Sequence, residues 1–346
     1  MRAIVTLSTI AFLAPLVFAQ QDAAVDRVLH FTSADSPQTF EEIGAVIHSI
    51  TDIGQAKVDP AEKSLSLRGT ASQIALAEWL FTNLDRSAGN QARHEYRVLG
   101  NADDVVRLFY LTNPEVLEGV QEMVTAVRSI GEIWPMFTYN DLRAVAVRGT
   151  AEQMRLAEFL FAEMDKPAVA GGSSEKVQST ASPEFRMSEP QENVVRVFYL
   201  PNTKSIRNFQ EVVTLVRSIT GVRHMFTYNP VRAVGMRGTE DQAVMSEWLL
   251  NELDKDSDTA AARGSATHEY RLSPTGDDFV RVFYLANVTI VRLQEIATQV
   301  RSEANLRRLF TYNAPRAIAV RDTAENVALA DRMIREQEES TAGLLH

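Results

Sequence analysis

The sequence predicts an α+β protein that consists of four tandem small modules, each with the element order β-α-β-β-α. Three observations support this prediction. Arg-Gly-Thr recurs at 68–70, 148–150 and 237–239, and Arg-Asp-Thr follows at 321–323. The last three copies are preceded by Phe-Thr-Tyr-Asn, at 137–140, 226–229 and 310–313. Each copy also lies between a segment of strand-like pattern and a segment of helical pattern, and motifs that recur in a constant order indicate an array of equivalent units.

The repeats span residues 27–87, 94–167, 184–256 and 268–338. The segments 168–183 and 257–267 are rich in small and polar residues, which is typical of flexible linkers. A unit of this size buries a limited share of its unfolded surface. We therefore expect the modules to pack on one another or on copies in other chains, as a compact array or as an extended string.

The first residues have the pattern of a secretory signal peptide. Met1-Arg2 is a short positive region, residues 3–18 are mostly apolar, and Val17-Phe18-Ala19 fits a cleavage site. The apolar stretch is shorter than the roughly 20 residues that a membrane-spanning helix needs. We predict a signal peptide at 1–19 and an exported chain, periplasmic or envelope-associated, with no transmembrane segment after cleavage.

The second repeat shows the order of elements. Residues 106–111 are β-branched and aromatic, which predicts a strand. Leu117, Val120, Val124 and Val127 then recur at helical spacing and predict the first helix.

A hairpin and a second helix complete the unit. Residues 136–139 and 144–148 predict two strands joined by a turn. Thr150 is an N-cap residue for the second helix, and Asp165-Lys166-Pro167 ends that helix.

A short echo precedes each of the later repeats. It reads His-Glu-Tyr-Arg at 94–97 and 268–271, and Phe-Arg-Met at 185–187. This segment fits an extra strand, paired with its own sheet or with a neighbouring one, or an extended linker.

The unit resembles the short periplasmic N-domain repeat of secretins, the outer-membrane ring proteins of type II and type III secretion and of type IV pili. The nearest local match is the stretch at 58–70, which ends in Leu-Ser-Leu-Arg-Gly-Thr, with Leu-Asp-Arg at 84–86, and the resemblance covers all four repeats. It implies a KH-like fold, and contacts with other subunits, inner-membrane partners and cargo. The strand-rich barrel of secretins has no counterpart in this sequence, so we expect no pore.

The later repeats depart from the secretin pattern in parallel. Tyrosines stand where the family favours Asp in the hairpin, and arginines stand where it favours Asn before the last strand. These residues are Tyr139, Tyr228 and Tyr312, and Arg143, Arg232 and Arg316. The fourth repeat has Arg-Glu-Gln-Glu at 335–338 instead of the closing Leu-Asp, which suits an end repeat whose outer face meets water.

Composition and motifs argue against several function classes. A net charge of −10 disfavours nucleic acid as a partner, and the lack of cysteine excludes thiolate metal sites and disulfides. The six histidines have no metal-ligand spacing, and Gly-x-Ser-x-Gly is absent. Asp85, Asp165 and Asp254 lie at predicted helix ends, where we expect them to be solvated or to form turns. We expect a non-enzymatic protein without cofactor or metal.

One surface has the composition of a protein interface. If Val145 and Val147 face the helices, strand alternation places Ala146 and Arg148 on the opposite face. Aromatic residues and arginine are enriched at interface cores. Phe137 and Tyr139 could join Ala146 and Arg148 there, or could instead face the helices of their own repeat or be covered by a neighbouring module. The candidate interface residues are Phe137, Tyr139, Arg148, Phe226, Tyr228, Arg237, Phe310, Tyr312 and Arg321.

The function that these observations favour is a scaffold or adaptor acting through protein contacts in secretion or pilus-type assembly. Its expected partners are a secretin, a pilus-assembly component or another copy of the chain. Two alternatives stay open: a stand-alone, self-assembling extracytoplasmic interaction protein, and a small-ligand receptor or enzyme with a site between modules.

Overall fold

The computed structural model describes residues 23–86, 94–98, 103–113, 117–167, 182–189, 191–255, 267–272, 276–286 and 288–343. The predicted signal peptide at 1–19 and most of the predicted linkers at 168–183 and 257–267 lie outside these residues. The described part of the chain forms fifteen strands and eight α-helices, arranged as four antiparallel sheets that alternate with helices. The predicted α+β fold of repeated small modules is confirmed.

Module 1 shows the basic unit. It consists of β1 (Val25–His30), α1 (Pro37–Thr51), β2 (Gln55–Asp59), β3 (Ser64–Gly69) and α2 (Ala71–Leu84). Its sheet has the order β1-β3-β2, so the last strand of the unit lies between the other two.

Modules 2 to 4 repeat this unit and add one strand before it. Module 2 comprises β4 (His94–Arg97), β5 (Val105–Tyr110), α3 (Leu117–Gly131), β6 (Met136–Tyr139), β7 (Ala144–Gly149) and α4 (Ala151–Met164). Module 3 comprises β8 (Glu184–Arg186), β9 (Val194–Tyr199), α5 (Ile206–Thr220), β10 (His224–Tyr228), β11 (Ala233–Gly238) and α6 (Glu240–Leu253). Module 4 comprises β12 (Thr267–Arg271), β13 (Phe279–Tyr284), α7 (Ile290–Glu303), β14 (Arg308–Tyr312), β15 (Ala317–Asp322) and α8 (Ala324–Gly343).

The short echo before each later repeat forms a strand. β4, β8 and β12 pair antiparallel with β5, β9 and β13, the first strands of their own modules. The prediction of an extra strand is therefore confirmed, and its partner is the sheet of its own module. The first strand of module 2 runs one residue earlier than the sequence pattern indicates, from Val105 to Tyr110.

The second helices of modules 1 to 3 begin with the predicted cap. In each, a threonine hydroxyl accepts the N–H of the glutamine three residues on, and that glutamine side chain accepts the threonine N–H. This reciprocal capping box satisfies two helix N–H groups that would otherwise lack partners. The pairs are Thr70 with Gln73, Thr150 with Gln153 and Thr239 with Gln242.

The residue before the last hairpin strand has left-handed backbone in every module. Lys63, Arg143, Arg232 and Arg316 have φ values between 46° and 52°. Asn tolerates this conformation better than most residues. The arginines of the last three modules and the lysine of module 1 therefore occupy a backbone conformation that Asn adopts more readily.

The acidic residue that ends each second helix anchors the loop after the first strand. Asp85 accepts hydrogen bonds from the N–H groups of Thr32 and Ser33, at 2.7 and 3.0 Å. Asp85 and Asp254 are only 7% and 9% exposed, so the expectation of solvated carboxylates is wrong for these two. The loop wraps over the helix end and removes them from water. Burial raises the pKa of Asp254 to about 6, against the opposing hydrogen bonds from Thr203 and Asn202.

Module 4 uses a glutamate for the same purpose. Glu338 stands at the position of Asp85 and accepts the N–H of Ala286 at 2.7 Å. The missing Leu-Asp of the fourth repeat is thus replaced by a longer side chain within the extended helix α8.

Two layers cover each of the last three sheets. The two helices of a module pack on one face of its own sheet and form its core. The first helix of the preceding module packs on the opposite face. Among the described helices, none has both the length and the apolar character required to cross a membrane.

Candidate interface between modules

The same contact joins modules 1 to 4 three times. α1 packs on β6 and β7, α3 on β10 and β11, and α5 on β14 and β15. The last strand of each receiving sheet has small residues where the helix crosses, which allows a close approach of backbone to side chain. These residues are Ala144 and Ala146, Ala233 and Gly235, and Ala317 and Ala319, and the five alanines are almost completely buried.

Gly235 shows how close this approach is. A Cβ atom at this position would lie 2.5 Å from Cδ1 of Ile130 on α3 and 3.0 Å from Cε of Met164. Ile130 is fully buried. Its side chain therefore occupies the space that any larger residue at position 235 would need.

The candidate tyrosines lie inside these contacts. Tyr139, Tyr228 and Tyr312 are 3%, 1% and 5% exposed, and each is part of a core cluster shared with the preceding module. In the pairing of β6 with β7, Tyr139 lies opposite Ala144 and Phe137 opposite Ala146. Both aromatic residues thus share the sheet face of the two alanines, away from the helices of module 2.

Acidic groups of the preceding module surround each tyrosine. Burial first, and then the charges of Asp165 and Glu122, raise the pKa of Tyr228 to about 12. Burial also raises the pKa of Tyr139, beside Asp141 of its own module and Glu42 and Asp85 of module 1. The phenols are therefore neutral at physiological pH.

A glutamate on each first helix receives the hairpin turn of the next module. Glu42 accepts the N–H of Asn140 at 3.2 Å and its side-chain amide at 3.0 Å. Glu122 accepts the same two groups of Asn229, and Glu211 accepts the N–H of Asn313 at 2.7 Å. The backbone N–H at the tip of the hairpin turn thus has its hydrogen-bond acceptor in the neighbouring module. This contact fixes the position of one module against the next.

Two candidate arginines bind backbone carbonyl groups near the C-terminal ends of the first helices α1 and α5. Nη1 of Arg148 donates to the backbone oxygen of Ile50 at 2.9 Å, and Nη2 of the same side chain binds Asp104 at 2.6 Å. Arg321 repeats this arrangement with Ile219 and Asp278. A guanidinium has enough donors to bind a carboxylate and a carbonyl at once.

Arg237 makes the equivalent contact with different partners. It is 5% exposed, and it binds Glu132 of module 2 at 3.2 Å and Glu189 of its own module at 2.8 Å. At this junction a carboxylate thus replaces the helix carbonyl.

The candidate phenylalanines lie at the rim of the contacts. Phe137 is 39% exposed, whereas Phe226 and Phe310 are partly buried against the shared cores. The guanidinium of Arg217 lies 5.8 Å from the ring centre of Phe226, within the same module. Eight of the nine candidate residues contact the preceding module, and Phe137 lies on the same sheet face and is exposed.

Sequence analysis did not identify a second tyrosine at each junction. The hydroxyl groups of Tyr110, Tyr199 and Tyr284 donate to backbone carbonyls near the end of the preceding second helix, those of Asn83, Glu163 and Glu252. The distances are 3.4, 2.8 and 2.9 Å. These carbonyls belong to the last turn of a helix and have no partner within it.

An aromatic pair also escaped the sequence analysis. The aromatic residue of each extra strand packs on one from the second helix of the preceding module. The pairs are Trp79 with Tyr96, Phe159 with Phe185 and Trp248 with Tyr270, with ring centres 5.5, 5.8 and 5.3 Å apart. Each extra strand therefore belongs to one sheet and also contacts the preceding module.

The sequences of modules 1 and 4 differ from those of the other modules at positions that could have identified these residues. Module 4 has Arg332 at the position of Trp248, and Gln299 and Glu303 where the other first helices have buried apolar residues. The outer sheet face of module 1, on which no described helix of another module packs, has Lys57 and Asp59 where module 2 has Phe137 and Tyr139. Positions that become polar only in an end unit indicate contacts that only inner units make.

The solved structures that are similar to this chain include secretins. No protein family model and no curated protein matches the sequence. Among solved structures, the chain is similar to Aeromonas hydrophila ExeD, with 15% identity over 67% of this chain and 41% of that chain, and a TM-score of 0.16. It is also similar to the N-terminal domain of the secretin XcpQ from Pseudomonas aeruginosa, with 13% identity over 42% of this chain and 63% of that chain, and a TM-score of 0.19.

A third similar structure is the pilotin–secretin AspS–GspD complex of ETEC. It has 15% identity over 75% of this chain and 41% of that chain, and a TM-score of 0.16. The chain thus spans less than two thirds of the length of each of these three structures.

Proposed function

We propose that this chain is a non-enzymatic scaffold or adaptor of the cell envelope, which binds other proteins in secretion or in pilus-type assembly. The observation that carries the proposal is the threefold repetition of one junction. Each junction combines a helix on a sheet, a glutamate on an asparagine turn and a tyrosine on a helix end. Such contacts hold four small modules in a fixed order and orientation, which is what a scaffold requires.

The repeat units of this proposal are residues 27–87, 94–167, 184–256 and 268–338. We assign the nine candidate interface residues to the joining of consecutive modules. Tyr139, Tyr228, Tyr312 and Arg237 are almost fully buried, which supports this assignment. The surfaces left for partners are then the outer helices and the sheet edges.

The residues at the two ends of the array disfavour docking of module 4 of one copy on module 1 of another through a contact like that of the junctions. Such docking would place Asp59, at the position of Tyr139, beside Glu295 and Glu338, which stand at the positions of Glu42 and Asp85. Pro60, at the position of Asn140, would then face Glu295, and proline has no backbone N–H to donate. Like charges and a missing donor favour a different protein as the partner.

Export and the identity of the partner are further parts of the proposal. The pattern of residues 1–19 supports export with cleavage after Ala19, and the resemblance to secretin N-domain repeats supports a secretin or a pilus-assembly component as partner. Mass spectrometry of the purified mature protein should find an N-terminal peptide that begins at Gln20.

Crosslinking in the native envelope, followed by affinity capture and mass spectrometry, tests the proposed partner. We would compare the native chain with a junction variant, Glu122→Ala with Gly235→Val, and a matched control, Glu295→Ala with Ser66→Val. The control changes the equivalent positions at the two ends, where no module is docked. We expect the native chain and the control to recover a secretin or pilus-assembly component, and the junction variant to recover less of it.

Two outcomes would contradict the proposal. Recovery of this chain alone would favour a self-assembling protein without a secretion partner. Equal recovery by a folded junction variant would show that partner binding does not depend on the fixed arrangement of modules.

A further inference from the structure

The first strand of module 1 has a free edge where the other modules have a strand. In the part of the chain that the structure describes, β1 pairs with β3 alone, whereas β5, β9 and β13 each also pair with an extra strand. β1 has six residues, no proline and high exposure, with Val25 at 39% and Val28 at 53%. An exposed strand edge of this length can accept another strand through its backbone N–H and C=O groups.

Arg27 makes one of the two kinds of ion pair that the equivalent arginines of the other modules make. Arg107, Arg196 and Arg281 each bind a carboxylate of their own second helix, and each also binds a glutamate of the extra strand. Arg27 makes the helix contact, to Glu78. Its side chain is 55% exposed, against 16%, 12% and 22% for the three equivalents.

The charges along β1 define what a complementary strand would carry. In module 2, His94, Glu95 and Tyr96 lie opposite Leu108, Arg107 and Val106, and these three stand at the positions of Val28, Arg27 and Asp26. Asp26 is exposed and replaces an apolar residue of the other modules. Opposite charges across a strand pair are favourable, and exposed apolar residues pair with apolar residues.

We propose that the free edge of β1 binds an extended segment of a partner protein, which adds as an antiparallel strand and carries an apolar, an acidic and a basic residue in succession. The apolar residue lies opposite Val28, the acidic residue opposite Arg27 and the basic residue opposite Asp26. Backbone hydrogen bonds provide the pairing, and the two charge pairs select the register. This inference deepens the proposed scaffold function by naming one binding edge and the chemistry of its ligand.

The absence of cysteine from the chain allows a direct test of register. The probe is a seven-residue peptide containing the order apolar, acidic, basic, Cys, with the cysteine activated as a mixed disulfide. In the register of module 2, where Arg97 lies opposite Val105, this cysteine faces position 25. We would measure the rate of disulfide formation with the full chain that carries Val25→Cys, and with a control that carries Lys57→Cys on β2, the other edge of the same sheet.

The proposal predicts a rate at least tenfold higher at position 25 than at position 57. A peptide with its acidic and basic residues exchanged has the same composition and should react at least tenfold more slowly with Val25→Cys. Equal rates at the two positions, or equal rates for the two peptides, would overturn the proposal. Spontaneous disulfide-linked dimers of Val25→Cys that exclude the peptide would show that a second copy occupies the edge, and would overturn the assignment to a different protein.

This test does not depend on the capture experiment. If the peptide does not crosslink but the partner is captured, β1 is not the binding edge and the proposed scaffold function is retained. If the peptide crosslinks in the expected register but no partner is captured, β1 is a strand-binding site and the proposed role in secretion is wrong.

Discussion

Glu122 on α3 accepts two hydrogen bonds from Asn229, its backbone N–H at 3.0 Å and its side-chain amide, although the two residues are 107 positions apart in the chain. Glu42 and Asn140 form the same contact one junction earlier. Glu295, the equivalent residue of module 4, lies on an exposed helix face and binds Arg292 of its own helix at 3.1 Å. One residue type thus has an interface role in three modules and a surface role in the last.

This difference gives a matched pair of mutations. Glu122→Ala should lower the free energy of unfolding by about 1–3 kcal/mol, since the half-buried N–H of Asn229 loses its acceptor. Glu295→Ala should change it by no more than about 0.5 kcal/mol, because it alters a solvent-exposed pair. Urea denaturation of the two variants and the native chain measures both values. Similar effects of the two substitutions would mean that the Glu122 contact does not stabilise the junction.

Gly235 provides a second test of the same junction. Gly235→Val should cost about 1–3 kcal/mol, because its side chain would enter the space of Ile130. Ser66→Val, at the equivalent position of the uncovered sheet of module 1, should be neutral within about 0.5 kcal/mol.

Addition of Ile130→Ala to Gly235→Val separates crowding from strand propensity. The larger cavity should accommodate the valine, so the two substitutions together should cost less than the sum of the single costs, by more than about 0.5 kcal/mol. Strict additivity in thermal or urea unfolding would contradict direct contact between positions 130 and 235.

The buried phenol of Tyr228 predicts a loss of stability in alkali. Its pKa in the folded state is about 12, above the value of about 10 for an unfolded chain, so the unfolded state loses its proton first. The stabilisation is complete below pH 10 and decreases as the pH rises through 12. Between pH 9.5 and 11.5 the native chain should lose about 1–2 kcal/mol more than Tyr228→Phe.

Urea unfolding at the two pH values gives this difference directly. A spectrophotometric titration of the folded chain provides an independent check, because Tyr228→Phe should remove one tyrosine that ionises well above pH 10. If every tyrosine of the native chain ionised near pH 10, the buried position of Tyr228 would be wrong.

The aromatic pair of Trp248 and Tyr270 predicts a local effect on the extra strand of module 4. Trp248→Ala should weaken the packing of β12 by about 1–3 kcal/mol and speed hydrogen exchange at the amides of residues 268–271. Arg332→Ala, at the equivalent position of the last module, should leave exchange in all sheets unchanged. Unchanged exchange in β12 of Trp248→Ala would show that the tryptophan does not hold the strand.

Much of the fold follows from local patterns in the sequence. The strand and helix periods, the capping threonines and the recurrence of Arg-Gly-Thr depend on neighbouring residues, so they predicted the α+β units and their number. The aromatic and arginine candidates were found because they recur in the same place in three repeats. The buried carboxylates of Asp85 and Asp254 were not found, since their burial depends on a loop more than 50 positions away in the chain.

The sequence by itself determined the repeated β-α-β-β-α unit, because hydrophobic periodicity and capping act over a few residues. Only the tertiary structure decided that the uncovered face of each sheet receives the first helix of the preceding module, because that contact depends on the shapes and donors of residues about 100 positions apart. The same physics explains the ends of the array. Among the described residues no further module packs on these two outer faces, and Asp59, Lys57, Gln299 and Glu303 are polar there at positions that are aromatic or aliphatic at the junctions.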